Sequence, residues 1–257
     1  MNWDIVTVRE LDRGLVGALF DNEVAAIRIP GFLSREGLAA AVAGIEENGL
    51  DHYRDVDPPI GKIGITQFEH RHGTAAKAAY FEQAAKSNLR RQEVFARSGD
   101  PVELVSSALA AVWPRPVSVA EEPAVGGYFA GLVRMIREGL VHCDWAPHDA
   151  PGWSIGEIDA QITWNVYLQL PQDGGATYVY DRPWDESAEE HAIPDSYGYD
   201  DGLVADRARV RIEPAAGDLT FFNSRNFHAI ERSSGSDRIS VSSFVGRHRD
   251  GRLVLWS

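Results

Sequence analysis

The sequence predicts a mainly β fold with flanking helices, and two observations support this prediction. Residues 1–115 carry mostly helical patterns. From Pro116 onward, short runs rich in β-branched and aromatic residues alternate with turn signals such as Gly126-Gly127 and Asp173-Gly174-Gly175. Many short strands without intervening helices are typical of a β-sandwich or a β-barrel. The expected organisation is one domain over residues 1–257, with the β-rich core at 116–257.

The N-terminal part is predicted to contain one strand and three helices. The strand is stopped by Pro30-Gly31. Ser34 is a candidate N-cap for the first helix, which Gly49 terminates, and Pro101 suits the first turn of the third helix. The predicted bounds are 24–30 for the strand and 34–48, 75–96 and 102–113 for the helices.

The C-terminal part is predicted to contain seven strands, at 117–120, 132–136, 161–170, 176–180, 208–212, 218–222 and 239–245. A long acidic break at 181–206 interrupts them. A segment of this length inside a compact domain is usually a lid or a disordered insertion, and both interpretations stay open here. The lid is slightly favoured by ring-bearing side chains that a purely solvating loop rarely needs: Trp184, His191, Tyr197 and Tyr199.

The composition favours a globular protein that acts on a small molecule. Hydrophobic residues make up 44% of the 257 residues and charged residues 25%. The net charge of −13 argues against nucleic acid and anionic membranes as partners, because no basic stripe is available to release counterions. A single cysteine excludes an intrachain disulfide, and no leader or membrane-spanning run is apparent, so the expected location is the cytoplasm. The oligomeric state is not predicted.

The stretch from Val141 to Trp145 carries the candidate chemistry. In an extended segment, residues i and i+2 point to the same side, so His142 and Asp144 face one point while Cys143 faces away. Together with His228 they form a 2-His-1-carboxylate facial triad, which leaves three coordination positions open and is the usual site of non-haem Fe(II) oxygenases.

Neither the triplet nor the distal histidine is specific by itself. With 8 histidines in the chain, a His-x-Asp triplet is expected by chance, and His248-Arg249-Asp250 is one in a turn-like context. A histidine after an aromatic residue, as in Phe227-His228, is more often a core residue. His70-Arg71-His72 is best interpreted as a polar loop that enters a helix, since no acidic or cysteine cluster accompanies it.

Three further motifs follow His142 in a fixed order. Val166-Tyr167-Leu168 precedes Gly174-Gly175-Ala176-Thr177, residues 213–223 contain Gly217-Asp218-Leu219 before His228, and Arg238-Ile239-Ser240 comes next. This set resembles the Y-L-N…G-G-x-T and P-x-x-G-D-L-x-x-F signatures of prolyl-4-hydroxylase-like Fe(II)/2-oxoglutarate dioxygenases. The resemblance runs from about residue 127 to residue 244, close to half of the chain.

The resemblance implies a double-stranded β-helix (jelly-roll) core, with the N-terminal helices buttressing one sheet. It also implies that His142, Asp144 and His228 hold Fe(II), with the cosubstrate 2-oxoglutarate and O2 at the open positions. The family position for the far carboxylate of 2-oxoglutarate is Arg238. An arginine suits this role, because it is always charged and pairs bidentately with a carboxylate that is costly to bury unpaired.

Other residues receive weaker assignments from the same resemblance and from strand alternation. Tyr167 matches a tyrosine that donates to the same carboxylate. Thr163 and Ser240 are candidates to line the cosubstrate pocket, because each shares a strand face with Tyr167 or Arg238. For the substrate pocket the candidates are Trp145, Trp164 and Trp184, although packing in the core is an equally good interpretation of these side chains.

Residues 134–139 and the run Leu255-Trp256-Ser257 are similar to those of bacterial small-molecule members of the superfamily. These members include hydroxylases of N-substituted amino acids and carrier-free halogenases of indole alkaloids. The halogenases have glycine where this chain has Asp144, so we expect hydroxylation, or another C–H oxidation, of an amino-acid derivative or natural-product intermediate. Two alternatives are an iron oxygenase independent of 2-oxoglutarate, against which Arg238 argues, and a binding module with a vestigial metal, against which the complete triad argues.

Overall fold

The computed structural model describes residues 3–52, 61–71 and 73–257. Within these residues the α-helices are α1 (Arg13–Phe20), α2 (Arg35–Asn48), α3 (Thr74–Phe95), α4 (Pro101–Val112) and α5 (Ala146–Asp149). The first eight strands are β1 (Ile5–Thr7), β2 (Ala26–Ile29), β3 (Asp51–His52), β4 (Gly61–Ile63), β5 (Val117–Val119), β6 (Glu121–Glu122), β7 (Gly126–Gly127) and β8 (Leu132–Met135). The others are β9 (Gly139–His142), β10 (Ala160–Gln169), β11 (Thr177–Pro183), β12 (Arg209–Ile212), β13 (Leu219–Phe222), β14 (Asn226–Ile230), β15 (Ile239–Arg247) and β16 (Leu253–Trp256). Short 3-10 helices lie at Phe68–His70, Ser154–Glu157, Glu186–His191 and Asp201–Leu203.

The strands from β8 to β15 form two facing sheets. The larger sheet has the order β1-β2-β13-β10-β15-β8-β4-β3, with β16 paired to β15 and β5 paired to β16. The smaller sheet has the order β12-β11-β14-β9. Since successive strands alternate between the sheets from β8 to β11 and again from β12 to β15, the architecture is a double-stranded β-helix. The predicted jelly-roll core is confirmed.

The N-terminal helices pack against the outer face of the larger sheet, as predicted. One apolar cluster joins Leu19 of α1 and Ile45 of α2 to Trp164 and Val166 of β10. Helix α2 begins at the predicted cap, where the Ser34 hydroxyl accepts from the Gly37 amide at 3.1 Å. The sequence analysis did not predict α1, which Asp12 caps.

Two strands of the smaller sheet, β9 and β14, were not among the predicted strands. Both are short and mix polar with apolar residues, so their sequences lack the apolar alternation that predicts a strand. Their positions are set by pairing: His142 of β9 lies directly opposite His228 of β14. The strands that prediction missed therefore position the two histidines of the triad.

The acidic segment 181–206 is packed against the smaller sheet. Its first residues extend β11, and two of the 3-10 helices follow. Ala188, Tyr199 and Val204 are buried in a cluster with Phe227 of β14. A purely solvating insertion is therefore excluded as a description of this segment. Among the described residues, no helix is long and apolar enough to cross a lipid bilayer.

Candidate metal centre

Three potential ligand side chains converge between the two sheets. His142 and His228 are neighbours on adjacent strands, with ring centroids 4.1 Å apart. Asp144 follows in the loop after β9, and its Oδ2 lies 3.3 Å from His228 Nε2 and 3.9 Å from His142 Nε2. One ligand atom from each residue lies within 4.8 Å of the others. This separation is suited to three bonds to one ion.

Hydrogen bonds fix the orientation of both imidazoles. His142 Nδ1 donates to the Leu140 carbonyl at 2.7 Å, and His228 Nδ1 donates to the Asn226 carbonyl at 2.9 Å. We infer these tautomers from the carbonyl partners, which can only accept. Because Nδ1 carries the proton, Nε2 presents a lone pair to the centre of the cluster, as in metal-binding histidines.

The protonation states also suit a divalent cation. Burial lowers the pKa of His142 to about 4, and the neighbouring imidazole of His228 acts in the same direction. Burial raises the pKa of Asp144, but the imidazoles of His228 and His142 outweigh that effect and hold it at about 2. At neutral pH the cluster therefore offers His142 as a neutral nitrogen donor and Asp144 as a carboxylate. Two imidazoles with one carboxylate are the donor set that Fe(II) favours in such sites.

The cavity beside the triad contains two guanidinium groups. Arg134 of β8 and Arg238, just before β15, line it together with Thr163 and Asn165 of β10. Arg238 is only 2% exposed, its Nε has no hydrogen-bond partner, and no carboxylate pairs with it in the part of the chain that the structure describes. A buried cation without an anion is unfavourable. The pocket is therefore incomplete without an anionic ligand.

A family described as "Carrier-protein-independent halogenase WelO5" matches residues 3–257. The chain belongs to this family. It is 37% identical to "Leucinostatins biosynthesis cluster protein S" of Purpureocillium lilacinum, over 80% of this chain and 90% of that protein. It is 30% identical to the L-gamma-glutamyl-L-propargylglycine hydroxylase of Streptantibioticus cattleyicolor, over 98% of this chain and 93% of the relative.

A solved structure supports the fold independently. The N-substituted L-amino acid dioxygenase of Burkholderia ambifaria, crystallised with α-ketoglutarate, superposes with a TM-score of 0.66 at 20% identity, covering 95% of this chain and 90% of the other. The chain is an Fe(II)/2-oxoglutarate-dependent oxygenase that acts on a small molecule. The predicted superfamily, enzyme class and cofactors are thus confirmed, within a family whose name refers to halogenation.

Polar residues around the triad hold the loop that carries Asp144 by hydrogen bonds to its backbone. Gln161 Nε2 donates to the Asp144 carbonyl at 2.9 Å, and the Asp144 amide donates to the Ser224 carbonyl at 2.9 Å. The Gln161 Oε1 accepts from the Ala146 amide at 2.9 Å. The sequence analysis did not identify Gln161 or Ser224. The signal was present, because polar residues at alternate positions of a buried strand (161, 163 and 165) indicate an inward polar face.

Of the four residues predicted to bind or support the cosubstrate, Arg238 and one other line the cavity. Thr163 faces it directly. Tyr167 lies behind Arg238, whose guanidinium carbon is 5.1 Å from the centre of the tyrosine ring. Ser240 is buried, opposite Tyr167 on one neighbouring strand and Arg134 on the other. These positions make Tyr167 and Ser240 neighbours of the guanidinium groups, outside the cavity wall itself.

For Trp164 the sequence left both substrate contact and core packing open, and the structure places this side chain in the core. Thr163 and Asn165 face the cavity, so alternation along β10 directs Trp164 to the opposite face, where it packs against the N-terminal helices. Trp145 is 9% exposed, in a second apolar cluster, and Arg225 lies 5.0 Å above its ring. Trp184 stacks on His148, with ring centroids 4.4 Å apart. Neither Trp145 nor Trp184 lines the triad cavity.

The pair at residues 70 and 72 gives no sign of a metal site where it is described. His70 Nδ1 lies 3.0 Å from the Thr66 carbonyl, and its ring packs against Tyr80. His72 lies outside the described residues. His70 is therefore the last residue of a short 3-10 helix, with its ring packed against Tyr80. This agrees with its interpretation as part of a polar segment before α3.

Proposed function

We propose that this enzyme hydroxylates an unactivated C–H bond of an amino-acid derivative or a related natural-product intermediate. One observation carries the choice of hydroxylation: Asp144 supplies a carboxylate oxygen 3.3 Å from His228 Nε2 in a family named for halogenases. An anionic protein ligand at that position leaves no need for an exogenous halide. Amino-acid derivatives are supported by the relatives, which include a hydroxylase of a glutamyl dipeptide and an L-isoleucine 3(1)-dioxygenase.

In this proposal His142, Asp144 and His228 hold the iron. Bound Fe(II), together with 2-oxoglutarate and O2, supplies the oxidising power for C–H cleavage, which is the cofactors' own chemistry. The chain's contribution is orientation. The Leu140 and Asn226 carbonyls fix the two imidazoles, and the hydrogen bonds of Gln161 to the 144–146 backbone fix the loop of the carboxylate.

The two guanidinium groups suit the two carboxylates of 2-oxoglutarate. Arg238 is buried and stays ionised even though burial lowers its pKa, because an arginine starts from a very high value. We assign it the far carboxylate, with Tyr167 supporting the guanidinium and Thr163 lining the space between. Arg134 lies closer in sequence to the His142 strand and adds positive charge to the same cavity, which favours binding of a dianion.

Segment 181–206 is proposed to cover the substrate. It packs along β9, and Tyr197 touches the ring of His142, so it lies beside the metal centre. Segments of this kind carry specificity while the scaffold carries the chemistry. Closure over substrate excludes water from the reacting centre.

A single cysteine is consistent with a reducing compartment such as the cytoplasm.

The test is an assay of succinate release by Fe(II)-loaded enzyme against a library of free amino acids, N-substituted amino acids and dipeptides, run with and without chloride. We expect one or more amino-acid derivatives to stimulate succinate release, with a product that gains one oxygen atom. Chloride is expected to leave the product unchanged. A chlorinated product, or succinate release that no amino-acid derivative stimulates, would contradict the proposal.

A further inference from the structure

Strand β9, which ends at His142, is an edge strand of the smaller sheet. Within the described residues no strand pairs with its outer backbone groups, and proteins commonly cover such an edge with a loop or helix. Here segment 181–206 covers the edge. The Tyr199 amide donates to the Val141 carbonyl at 2.8 Å, and the Leu140 amide donates to the Tyr197 hydroxyl at 3.0 Å.

Tyr197 makes a second contact that reaches the metal centre. Its ring meets the ring of His142 edge to face, with centroids 5.4 Å apart and an interplanar angle of 84°. The backbone of Leu140 lies between the two residues: its amide donates to the Tyr197 hydroxyl, and its carbonyl accepts from His142 Nδ1. Tyr197 thus contacts the ring of His142 and also Leu140, the residue whose carbonyl fixes the orientation of that ring.

Segment 181–206 approaches β9 more closely at Gly198 than any residue with a Cβ atom would allow. A Cβ atom at Gly198 would lie 2.8 Å from Leu140 Cβ, so only glycine allows the segment to lie this close to the strand. Tyr197 itself is 47% exposed, and Leu140 is 44% exposed. Because neither side chain is part of a buried cluster, a role in core stability does not account for the contact.

We infer that Tyr197 is a positioning residue for His142, through which segment 181–206 sets the geometry of the metal centre. The inference rests on the proposed function, since it takes His142 as a ligand of the iron. Partners that orient a metal-binding histidine typically contribute about 10–100-fold to metal affinity. Loss of the tyrosine ring should therefore weaken metal binding and alter the coordination geometry without unfolding the protein.

The experiment is an equilibrium titration of the apo-protein with Co(II), followed by the visible d–d absorption of the bound ion. We expect Tyr197→Ala to weaken Co(II) binding about tenfold or more and to change the d–d spectrum, with the melting temperature of the apo-protein unaltered. Tyr197→Phe keeps the ring and loses only the hydroxyl, so its affinity should lie between those of the wild type and Tyr197→Ala. Tyr178→Ala is the matched control, because Tyr178 is a half-buried tyrosine of the same sheet whose hydroxyl bonds to Glu231.

Two outcomes would overturn the inference. One is a Tyr197→Ala protein with wild-type Co(II) affinity and spectrum, and the other is an equal loss in Tyr178→Ala. If Tyr197→Ala fails to fold, a Tyr197→Phe protein indistinguishable from wild type in affinity and spectrum overturns the part assigned to the hydroxyl. His142→Ala separates this inference from the proposed function. Wild-type Co(II) binding by that variant would refute the metal site, whereas lost binding there beside full binding in Tyr197→Ala would refute only the positioning role.

Discussion

Two His-x-Asp triplets in this chain share a sequence pattern but differ in the partners of their aspartates and in their backbone conformation. His142-Cys143-Asp144 ends an edge strand, and its carboxylate points to His228 at 3.3 Å. His248-Arg249-Asp250 lies in the turn between β15 and β16. There the Asp250 carboxylate accepts from the backbone amide of Arg252 at 3.0 Å and from its guanidinium at 2.7 Å. In the described parts of the chain, only the first triplet belongs to a group of three potential metal ligands.

Backbone geometry, and not charge, decides which of the two triplets forms a site. The pKa is lowered for both carboxylates: for Asp250 by the Arg252 amide, and for Asp144 by two imidazoles that outweigh burial. Both aspartates are therefore ionised at neutral pH. In the extended triplet the alternation of side chains aims His142 and Asp144 at one point, whereas in the turn the carboxylate is bound to its own loop.

The largest expected effect separates the triplets directly. His228→Ala removes one of three ligands, so we expect loss of stoichiometric Fe(II) binding and of 2-oxoglutarate turnover, with the fold retained. His248→Ala is the matched control and should keep full metal binding. Its melting temperature should fall, because His248 is buried. Metal analysis of anaerobically loaded protein measures both, and full turnover in His228→Ala would remove that residue from the site.

The next effect concerns the anion pocket beside the first triplet. If Arg238 holds the far carboxylate of 2-oxoglutarate as proposed, Arg238→Ala leaves that carboxylate buried without a partner. A broken buried ion pair costs roughly 3–5 kcal/mol, or about 100- to 4000-fold in affinity. Arg247→Ala, at the far end of β15, serves as the control, because it removes ion pairs with Asp21 and Asp159 and a contact with the Phe20 ring, away from the cavity. Calorimetric titration with 2-oxoglutarate measures the change. A shift below about tenfold would mean that Arg134 holds the carboxylate.

A third substitution compares the two carboxylates. Asp144→Gly opens a coordination position and should weaken Co(II) binding by at least about tenfold, the lower range seen when supporting residues of metal sites are removed. Chloride should then recover part of the affinity, since a small anion replaces the lost charge. Asp250→Gly should change neither quantity. Co(II) titrations at several chloride concentrations measure this, and equal affinities for the two variants would contradict the comparison.

The smallest effect concerns the segment that covers the first triplet and has no counterpart at the second. Glu189 anchors it by accepting from Trp184 Nε1 at 2.8 Å and from the Tyr199 hydroxyl at 2.9 Å. Glu189→Ala removes both hydrogen bonds and should lower substrate hydroxylation by at least about fivefold, the equivalent of one of them, while uncoupled decarboxylation of 2-oxoglutarate continues. The exposed Glu186 provides the control substitution. Parallel loss of both activities would argue against a substrate lid.

Much of the fold and the triad followed from local patterns, and the rest depended on pairing between distant strands. The strand predicted at 161–170 corresponds to β10 (Ala160–Gln169), and the helices predicted at 34–48, 75–96 and 102–113 correspond to α2, α3 and α4. For Trp164 the sequence left a substrate-pocket role and core packing both open, and the structure places it in the apolar cluster that joins β10 to the N-terminal helices. The contact of Gln161 with Ser224 joins residues 63 apart in the chain, and only strand pairing brings them together.

The contrast also explains why segment 181–206 was ambiguous in the sequence. Its acids predict solvation, while its buried residues, such as Ala188 and Val204, are too few and too widely spaced to form a periodic pattern. The segment packs against the edge of β9, and its own sequence does not show where that edge lies. The lid interpretation gains support from the contact between Tyr197 and His142.

The most direct measurement is anomalous diffraction at the iron edge from crystals grown anaerobically with Fe(II) and 2-oxoglutarate. We predict a single strong peak bounded by His142 Nε2, Asp144 Oδ2 and His228 Nε2. We also predict electron density for 2-oxoglutarate with its far carboxylate against Arg238. A peak at His248-Arg249-Asp250, or no peak among the three residues of the triad, would contradict this prediction.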